Sequence, residues 1–362
     1  MNILHTVEFY HPSTGGAQEV VRQISERLAR RGHSVTVATT RMEERASATL
    51  NGVRIEGFDI SGNLVRGIAG ERERYLDLLR ASEFDVMMNY AAQSWPTDLA
   101  FPILHEIGMR KVFVPCGFSG LHIPEYADYY RSMGSWMKAY DACVFLSENY
   151  RDVDLARRSG IDRNVLIPNG AGENEFTVSE EGIREKLAIP EDHLLILHVG
   201  SHTGMKGHRE LMSMFRRAST GPATLLIVAN DFGRGCGRRC ALSQRLLSSG
   251  LDPLMRGKQV IVTPLSRKDT VSAYHEADLF LFPSNIECSP IVLFEAMASR
   301  TPFLTTDVGN SLEIIKWSGG GVALPTVKTK EGFSRAEIRG SVRALEELIH
   351  DEARRKELGQ NG

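Results

Sequence analysis

The stretch that most constrains this chain is residues 279–309, LFLFPSNIECSPIVLFEAMASRTPFLTTDVG. Leu279 to Phe282 is short, unbroken and apolar, the pattern of a strand buried on both faces of a parallel sheet. Pro283-Ser284-Asn285 breaks the run. Ser289 then reads as a helix N-cap and Pro290 as the first helical residue, where its missing N–H costs nothing. Residues 291–299 read as helix, with Ile291, Phe294 and Ala298 on one face, and Phe303 to Thr305 as a second strand. Strand, loop, helix, strand puts the loop at the C-terminal edge of a doubly wound sheet, where such folds bind ligands.

Two carboxylates flank that loop. Glu287 precedes the helix and Glu295 lies inside it, with seven residues between them. A helix starting near Pro290 carries Glu295 roughly 8–9 Å along its axis at 1.5 Å per residue. The first-turn N–H groups of Ile291 and Val292 fall between the two acids. Such N–H groups attract phosphate, and carboxylates suit sugar hydroxyls, so the combination reads as a site for a sugar nucleotide. The competing reading makes Glu287 a loop cap and Glu295 a solvated helical residue. The neighbours favour the first. Pro283-Ser284, Glu287 and Glu295-Ala296-Met297-Ala298 resemble the P-S-x-x-E-x7-E-A-M-A signature of the retaining glycosyltransferases of family 4, the glycosyl transferases group 1. The resemblance implies an α/β protein of the GT-B fold, two Rossmann-like doubly wound domains facing each other across a cleft.

At 362 residues the chain has room for two such domains. A net charge of −2 excludes an ordinary nucleic-acid binder, which would be basic. The sequence has no apolar run long enough to span a membrane, and MNILHTVEFYHP lacks the basic and apolar regions of a signal peptide. Five cysteines, few and odd in number, fit reduced thiols and a cytoplasmic location. Cys236 and Cys240 lack a second ligand pair in sequence, so GCGRRC reads as a mobile loop rather than a zinc site.

In the first half, a strand at residues 3–7 leads through Ser13-Thr14-Gly15-Gly16 to a helix over residues 17–31, closed by Gly32. A glycine pair at this first βα turn lets a ligand approach the backbone. In Gly-Gly-Ala-x-x-x-Val it resembles the family loop that faces the donor phosphate, which implicates Gly15 and Gly16. The G-x-G-x-x-G of a nicotinamide dehydrogenase is absent. Further strands at residues 85–90, 111–115, 142–146 and 165–167, with helices over residues 96–108 and 148–158, imply a parallel sheet. Loops at residues 89–95 and 116–122 would line an acceptor pocket. Tyr90, Gln93, Trp95 and Phe118 either meet the acceptor there or belong to ordinary core and surface packing. Asp152-Val153-Asp154 falls early in a helix, where residues two apart do not share a face, so no metal is assigned to it.

The second half opens after Ile167-Pro168-Asn169-Gly170, which resembles the family hinge and sets the domains at 1–170 (acceptor side) and 171–362 (nucleotide-sugar donor side). Leu194 to Val199 is a strand ending at Gly200, and residues 208–219 a helix. Between them Lys206 can neutralise a diphosphate leaving group, and V-G-x-x-x-x-x-K-G resembles the family's donor-phosphate loop. Further strands are read at residues 223–228 and 260–262, and the turn at Leu265 corresponds to the stretch that meets the nucleotide base. Two positions depart from the family. Ser201 stands where most relatives have an arginine, with His202 and Arg209 as nearby cations, and Cys116 begins the loop where the family has a histidine. Relatives also continue past the position of Gly362 with a helix that crosses back to the first domain, so a truncated form with looser closure is expected.

The resemblance implies transfer of a hexose-type sugar from a UDP- or GDP-sugar to a glycan, lipid-linked or small-molecule acceptor. The anomeric configuration is retained, with no metal and no cofactor beyond the nucleotide sugar. Lys206 and Glu287 carry the reaction. Ser201, Leu265 and the run Ser289, Pro290, Ile291 and Val292 hold the donor, and Glu295 holds the ribose. A lipid-linked acceptor would mean peripheral docking on the inner membrane face. A sugar-nucleotide epimerase and a non-catalytic sugar-nucleotide-binding protein are the alternative readings.

Overall fold

Fully apolar strands alternate along the chain with helices that are apolar on one side, so the sheets they build must be covered on both faces. The computed structural model describes residues 1–362 apart from 82, 173, 178–181 and 230–234. The chain divides into two units, Met1–Asn169 and Gly170–Gly362.

The first unit runs β1 (Asn2–Thr6), α1 (Gly16–Arg30), β2 (Ser34–Thr40), β3 (Thr49–Leu50), β4 (Val53–Phe58), β5 (Ile60–Asn63), β6 (Gly67–Gly70), α2 (Arg72–Arg80), β7 (Val86–Tyr90), α3 (Trp95–Ala100), β8 (Arg110–Val114), α4 (Ala127–Lys138), β9 (Ala142–Phe145), α5 (Arg151–Arg158) and β10 (Asn164–Leu166). Its main sheet has the order β10-β9-β8-β7-β1-β2-β4-β3. Every pair is parallel except the β3–β4 edge. The helix expected over residues 96–108 stops at Ala100 and continues as one 3-10 turn, Phe101–Ile103. Pro102 explains the stop, because it has no N–H to donate and crowds the preceding turn.

The second unit runs α6 (Ile183–Lys186), β11 (Leu194–Val199), α7 (His208–Arg217), β12 (Ala223–Val228), α8 (Gly237–Leu247), β13 (Lys258–Thr263), α9 (Arg267–Glu276), β14 (Leu279–Phe282), α10 (Ile291–Ala298), β15 (Phe303–Thr305), α11 (Ser311–Ser318), β16 (Gly321–Ala323), β17 (Thr326–Lys328), β18 (Ser334–Ala336), α12 (Ile338–His350) and α13 (Glu352–Asn361). Its main sheet, β13-β12-β11-β14-β15-β16, is parallel throughout. Successive residues of β14 face opposite sides, as strand geometry requires. Leu279 and Leu281 join one core with Ile196 and Leu225, while Phe280 and Phe282 join the other with Leu195 and Leu197. That two-sided burial is why the run has no polar position.

Both sheets reverse their winding once, between β1 and β7 in the first unit and between β11 and β14 in the second. At such a reversal the loops leaving the two strands diverge to opposite faces and open a crevice at the strand ends. The loops after β11 and β14 carry Lys206 and Glu287.

Candidate functional site

In the second unit the two crevice loops are tied together by their backbones. The N–H of Asn285 donates to the carbonyl of Met205 at 2.8 Å. Gly207 has a left-handed φ of 69°, and a Cβ there would collide with the carbonyl of Pro283. A side-chain-free residue is what lets the Lys206 loop lie against the Glu287 loop. Lys206 Nζ donates to Glu287 Oε1 at 2.6 Å, and the Ser284 hydroxyl donates to the same oxygen at 2.6 Å. Both partners are largely buried, at 26% and 12% side-chain exposure. Two residues named from distant parts of the sequence therefore meet as one ion pair, with Ser284 of the Pro-Ser dipeptide orienting the acid.

Helix α10 follows. Pro290, not Ser289, occupies the N-cap position, with no side-chain cap. This corrects the expected Ser289 cap: its hydroxyl instead accepts from Asn310 Nδ2 at 3.0 Å. Asn310 is placed by its own N–H, which donates to the Cys288 carbonyl at 2.8 Å. In this first turn the Leu293 N–H donates to the Pro290 carbonyl at 3.1 Å, which leaves the N–H groups of Ile291 and Val292 without a side-chain cap. The buried face of α10 is Leu293, Glu295 and Ala296 rather than the expected Ile291, Phe294 and Ala298 face.

Glu295 is not a solvated helical residue. Its side chain is 5% exposed, and Oε1 accepts from Arg267 Nη1 at 2.6 Å. Burial pushes its carboxyl upward despite the Arg267 charge, so desolvation outweighs the ion pair. Arg267 also forks onto Glu175 through Nε and Nη2 at 2.6 and 2.7 Å. Because Arg267 is 42% exposed, solvent screens the pair, and it contributes nearer the ~1 kcal/mol of a surface bridge than the several of a sealed one. Ser266 caps α9 by accepting from the Asp269 N–H at 3.1 Å, which fixes Arg267 as its first residue. Sequence reasoning missed Arg267 and Glu175, because nothing in their spacing links residues so far apart in the chain. Leu265 is half-buried and packs on the core that holds Phe282, and Ser201 is half-buried in the loop after β11.

In the first unit, Gly15 precedes α1 and Gly16 begins it, at the end of the loop from β1. The loops after β7 and β8 carry four non-glycine residues with left-handed φ: Ala91 at 70°, Gln93 at 61°, Cys116 at 59° and Phe118 at 51°. Strain of this kind collects where a surface is shaped for a ligand. Gln93 holds the two loops together, its Oε1 accepting from Tyr130 Oη at 2.7 Å and the Gly120 N–H at 3.1 Å. The other acceptor-side candidates are corrected. Trp95 is fully buried against Phe58 and Tyr75, with Nε1 donating to Thr40 Oγ1 at 2.9 Å. Phe118 is buried edge-on to Tyr130, and Tyr90 is buried as well. A β-strand end followed at once by aromatic residues is also how a core closes, and packing took these side chains. Desolvation pushes the Cys116 thiol up to about 12, away from the thiolate form. Asp152 accepts from the Gly117 N–H at 2.9 Å, buried inside the unit, while Asp154 is solvated beside Arg157.

The reading of Cys236 and Cys240 as lacking a second ligand pair is also corrected. Cys236 stands at the N-cap of α8 and Cys240 in its first turn, with residues 230–234 outside the described residues. His202, from the Lys206 loop, and His208, the first residue of α7, converge on them. The His202 contribution was visible only as a replacement cation beside Ser201; the partnership needs the tertiary fold.

The family model described as glycosyl transferases group 1 matches residues 179–362, and that described as a glycosyl transferase 4-like domain matches residues 15–170. An uncharacterized glycosyltransferase of Methanocaldococcus jannaschii is 26% identical over 339 residues, covering 88% of this chain and 83% of that protein. Sucrose-phosphate synthase from Thermosynechococcus elongatus superposes with a TM-score of 0.76 at 18% identity, over 99% of this chain and 92% of that one. HepE of Anabaena, in complex with UDP-glucose, does so with a TM-score of 0.73 at 15% identity, over 100% and 93%. At these identities the likeness is one of fold, and the fold is the GT-B pairing of two Rossmann-like units.

Proposed function

Because the chain belongs to the glycosyl transferases group 1 family, we propose that it moves a hexose-type sugar from a UDP- or GDP-sugar to a glycan, lipid-linked or small-molecule acceptor, with retention at the anomeric carbon and without a catalytic metal. The observation that carries this reading is the Lys206–Glu287 pair at the winding reversal of the second sheet, beside the uncapped start of α10. The UDP-glucose held by HepE, a protein of the same fold, supports a nucleotide-sugar donor.

The donor diphosphate exchanges Glu287 for itself as the partner of Lys206 and rests on the N–H groups of Ile291 and Val292. Glu287, released from its cation but still held by Ser284, then accepts from hydroxyls of the transferred sugar. Glu295 takes the ribose hydroxyls on the carboxylate oxygen that Arg267 leaves. As the glycosidic bond breaks, the sugar–oxygen electron pair stays with the diphosphate, and Lys206 stabilises that growing charge. The acceptor hydroxyl attacks the same face and its proton passes to the departing phosphate oxygen, so retention needs no covalent nucleophile on the protein. A lipid-linked acceptor implies peripheral membrane docking; among the described residues no helix is long and apolar enough to cross a membrane.

The test is product stereochemistry. Purified protein given UDP-glucose, UDP-N-acetylglucosamine or GDP-mannose with an acceptor panel should release one nucleotide, and the new anomeric proton should show the donor's configuration by NMR. An inverted linkage would overturn the mechanism. Ser201 favours one second reading, a binding protein that holds the donor without transfer, because that position lacks a cation. Tight nucleotide-sugar binding with no turnover on any acceptor would establish it, and sugar isomerisation without acceptor would indicate an epimerase.

A further inference from the structure

The loop that carries Lys206 is bracketed by two histidines, and neither is a surface residue. His202 and His208 are each 3% exposed. Their rings lie 4.9 Å apart and turn toward the start of α8. There Cys236 and Cys240 sit one helical turn apart, with the Cys240 N–H donating to the Cys236 carbonyl at 2.9 Å. Residues four apart share a helix face. Cys236 is held close to the loop by its own N–H, which donates to the His202 carbonyl at 3.0 Å.

The donor atoms converge. His208 Nδ1 is 3.2 Å and His202 Nδ1 3.6 Å from Cys236 Sγ, and one nitrogen or sulfur from each of the four residues lies within 4.8 Å of all the others. A tetrahedral zinc with Zn–S of about 2.3 Å and Zn–N of about 2.0–2.1 Å has sulfur–nitrogen edges of about 3.5 Å. The observed edges straddle that value. The sequence spacings, His-x5-His and Cys-x3-Cys, are those of ligand pairs in structural zinc sites. Four nitrogen and sulfur ligands in a tetrahedral set select zinc over hard cations.

We propose that His202, His208, Cys236 and Cys240 bind one Zn2+ as a closed Cys2His2 centre that pins the Lys206 loop to the head of α8. Binding takes two neutral imidazoles and two thiols, whose protons leave to solvent, so the two thiolates cancel the metal charge. Four protein ligands leave no position for water or substrate, which makes the centre structural rather than catalytic. Its place explains its use. His202 and His208 stand at the two sides of the turn that contains Lys206, so the metal fixes both approaches to the lysine. The proposal stands whether or not that lysine meets a diphosphate.

The experiment is metal analysis of the full chain, purified without a metal-affinity tag from zinc-supplemented medium. About one zinc per chain is expected in the wild type and in Cys288→Ser, against less than about 0.1 in Cys236→Ser/Cys240→Ser, since each lost thiolate opens the centre. Full zinc in the double variant would overturn the assignment. Should that variant fail to fold, the wild type decides alone. Metal-free protein titrated with Co2+ should develop a thiolate-to-cobalt charge-transfer band in the near ultraviolet with tetrahedral d–d bands in the visible, and lose both on zinc addition. Absence of those bands, or a Cys236–Cys240 disulfide in freshly reduced and desalted protein, would overturn it as well.

Discussion

At the scale of single residues, the protein spends its buried polar groups on positioning. Lys206 pairs with Glu287, and Ser284 holds the same Glu287 oxygen, so under the proposed function the acid stays aimed when the lysine turns to a phosphate. Asp98 plays a comparable part in the first unit, accepting from Tyr129 Oη at 2.7 Å and from the Leu64 N–H at 2.9 Å while fully buried. Burial outweighs those donors and raises its carboxyl to about 6. The folded chain therefore holds this proton to higher pH than the unfolded chain does. The stability it lends is fully present below the ordinary aspartate value of about 4 and is lost as pH rises through about 6. Thermal melts of wild type against Asp98→Asn should show the wild type gaining relative to the variant as pH falls from about 7 to about 5. A pH-independent difference would mean that Asp98 is already neutral or solvated.

At the scale of elements, the decisive one is α10, a helix whose first turn is left without a side-chain cap. Pro290 fixes the entry, at φ −70° and ψ 111°, a conformation that a following proline also accepts. Ile291→Pro therefore deletes one N–H at the first helical position without breaking the helix. If that N–H binds phosphate, nucleoside diphosphate affinity should fall about tenfold, the ~1.4 kcal/mol expected of one hydrogen bond to a charged group. Melting temperature should stay close to that of the side-chain control Ile291→Ala. Equal affinities for the two variants would remove the helix N-terminus from the donor site. This element was legible in the sequence because Leu279 to Ala298 states its strand, its break and its helix in consecutive residues. Its buried face was not. Which three residues of an almost wholly apolar helix turn inward is decided by the neighbours, and the buried Glu295 meets Arg267 from a different element.

At the scale of the whole molecule, both units follow one rule, a sheet wound outward from a central pair of strands, with two loops that diverge at the reversal. Alternating apolar strands and helices were enough to read parallel sheets, and the family resemblance supplied the two doubly wound domains, while the strand order was not read. The hairpin of β5 and β6 and the antiparallel pair β17–β18 were not read, because strands this short carry too few residues for a period. Trp95 and Phe118 were misplaced for a related reason: loop position suggested exposure, while their size found room in the core. The convergence of His202 and His208 on Cys236 and Cys240 was not legible in the sequence, since its two halves belong to different βα units.

The most direct measurement is calorimetric titration of the full chain with UDP, GDP and ADP, repeated on Lys206→Ala and Glu295→Ala. One nucleotide should bind, and each substitution should weaken it at least about tenfold, the loss expected when a charged partner is removed from phosphate or ribose. Failure of all three to bind, or binding unchanged in both variants, would contradict a donor site at the Lys206–Glu287 crevice.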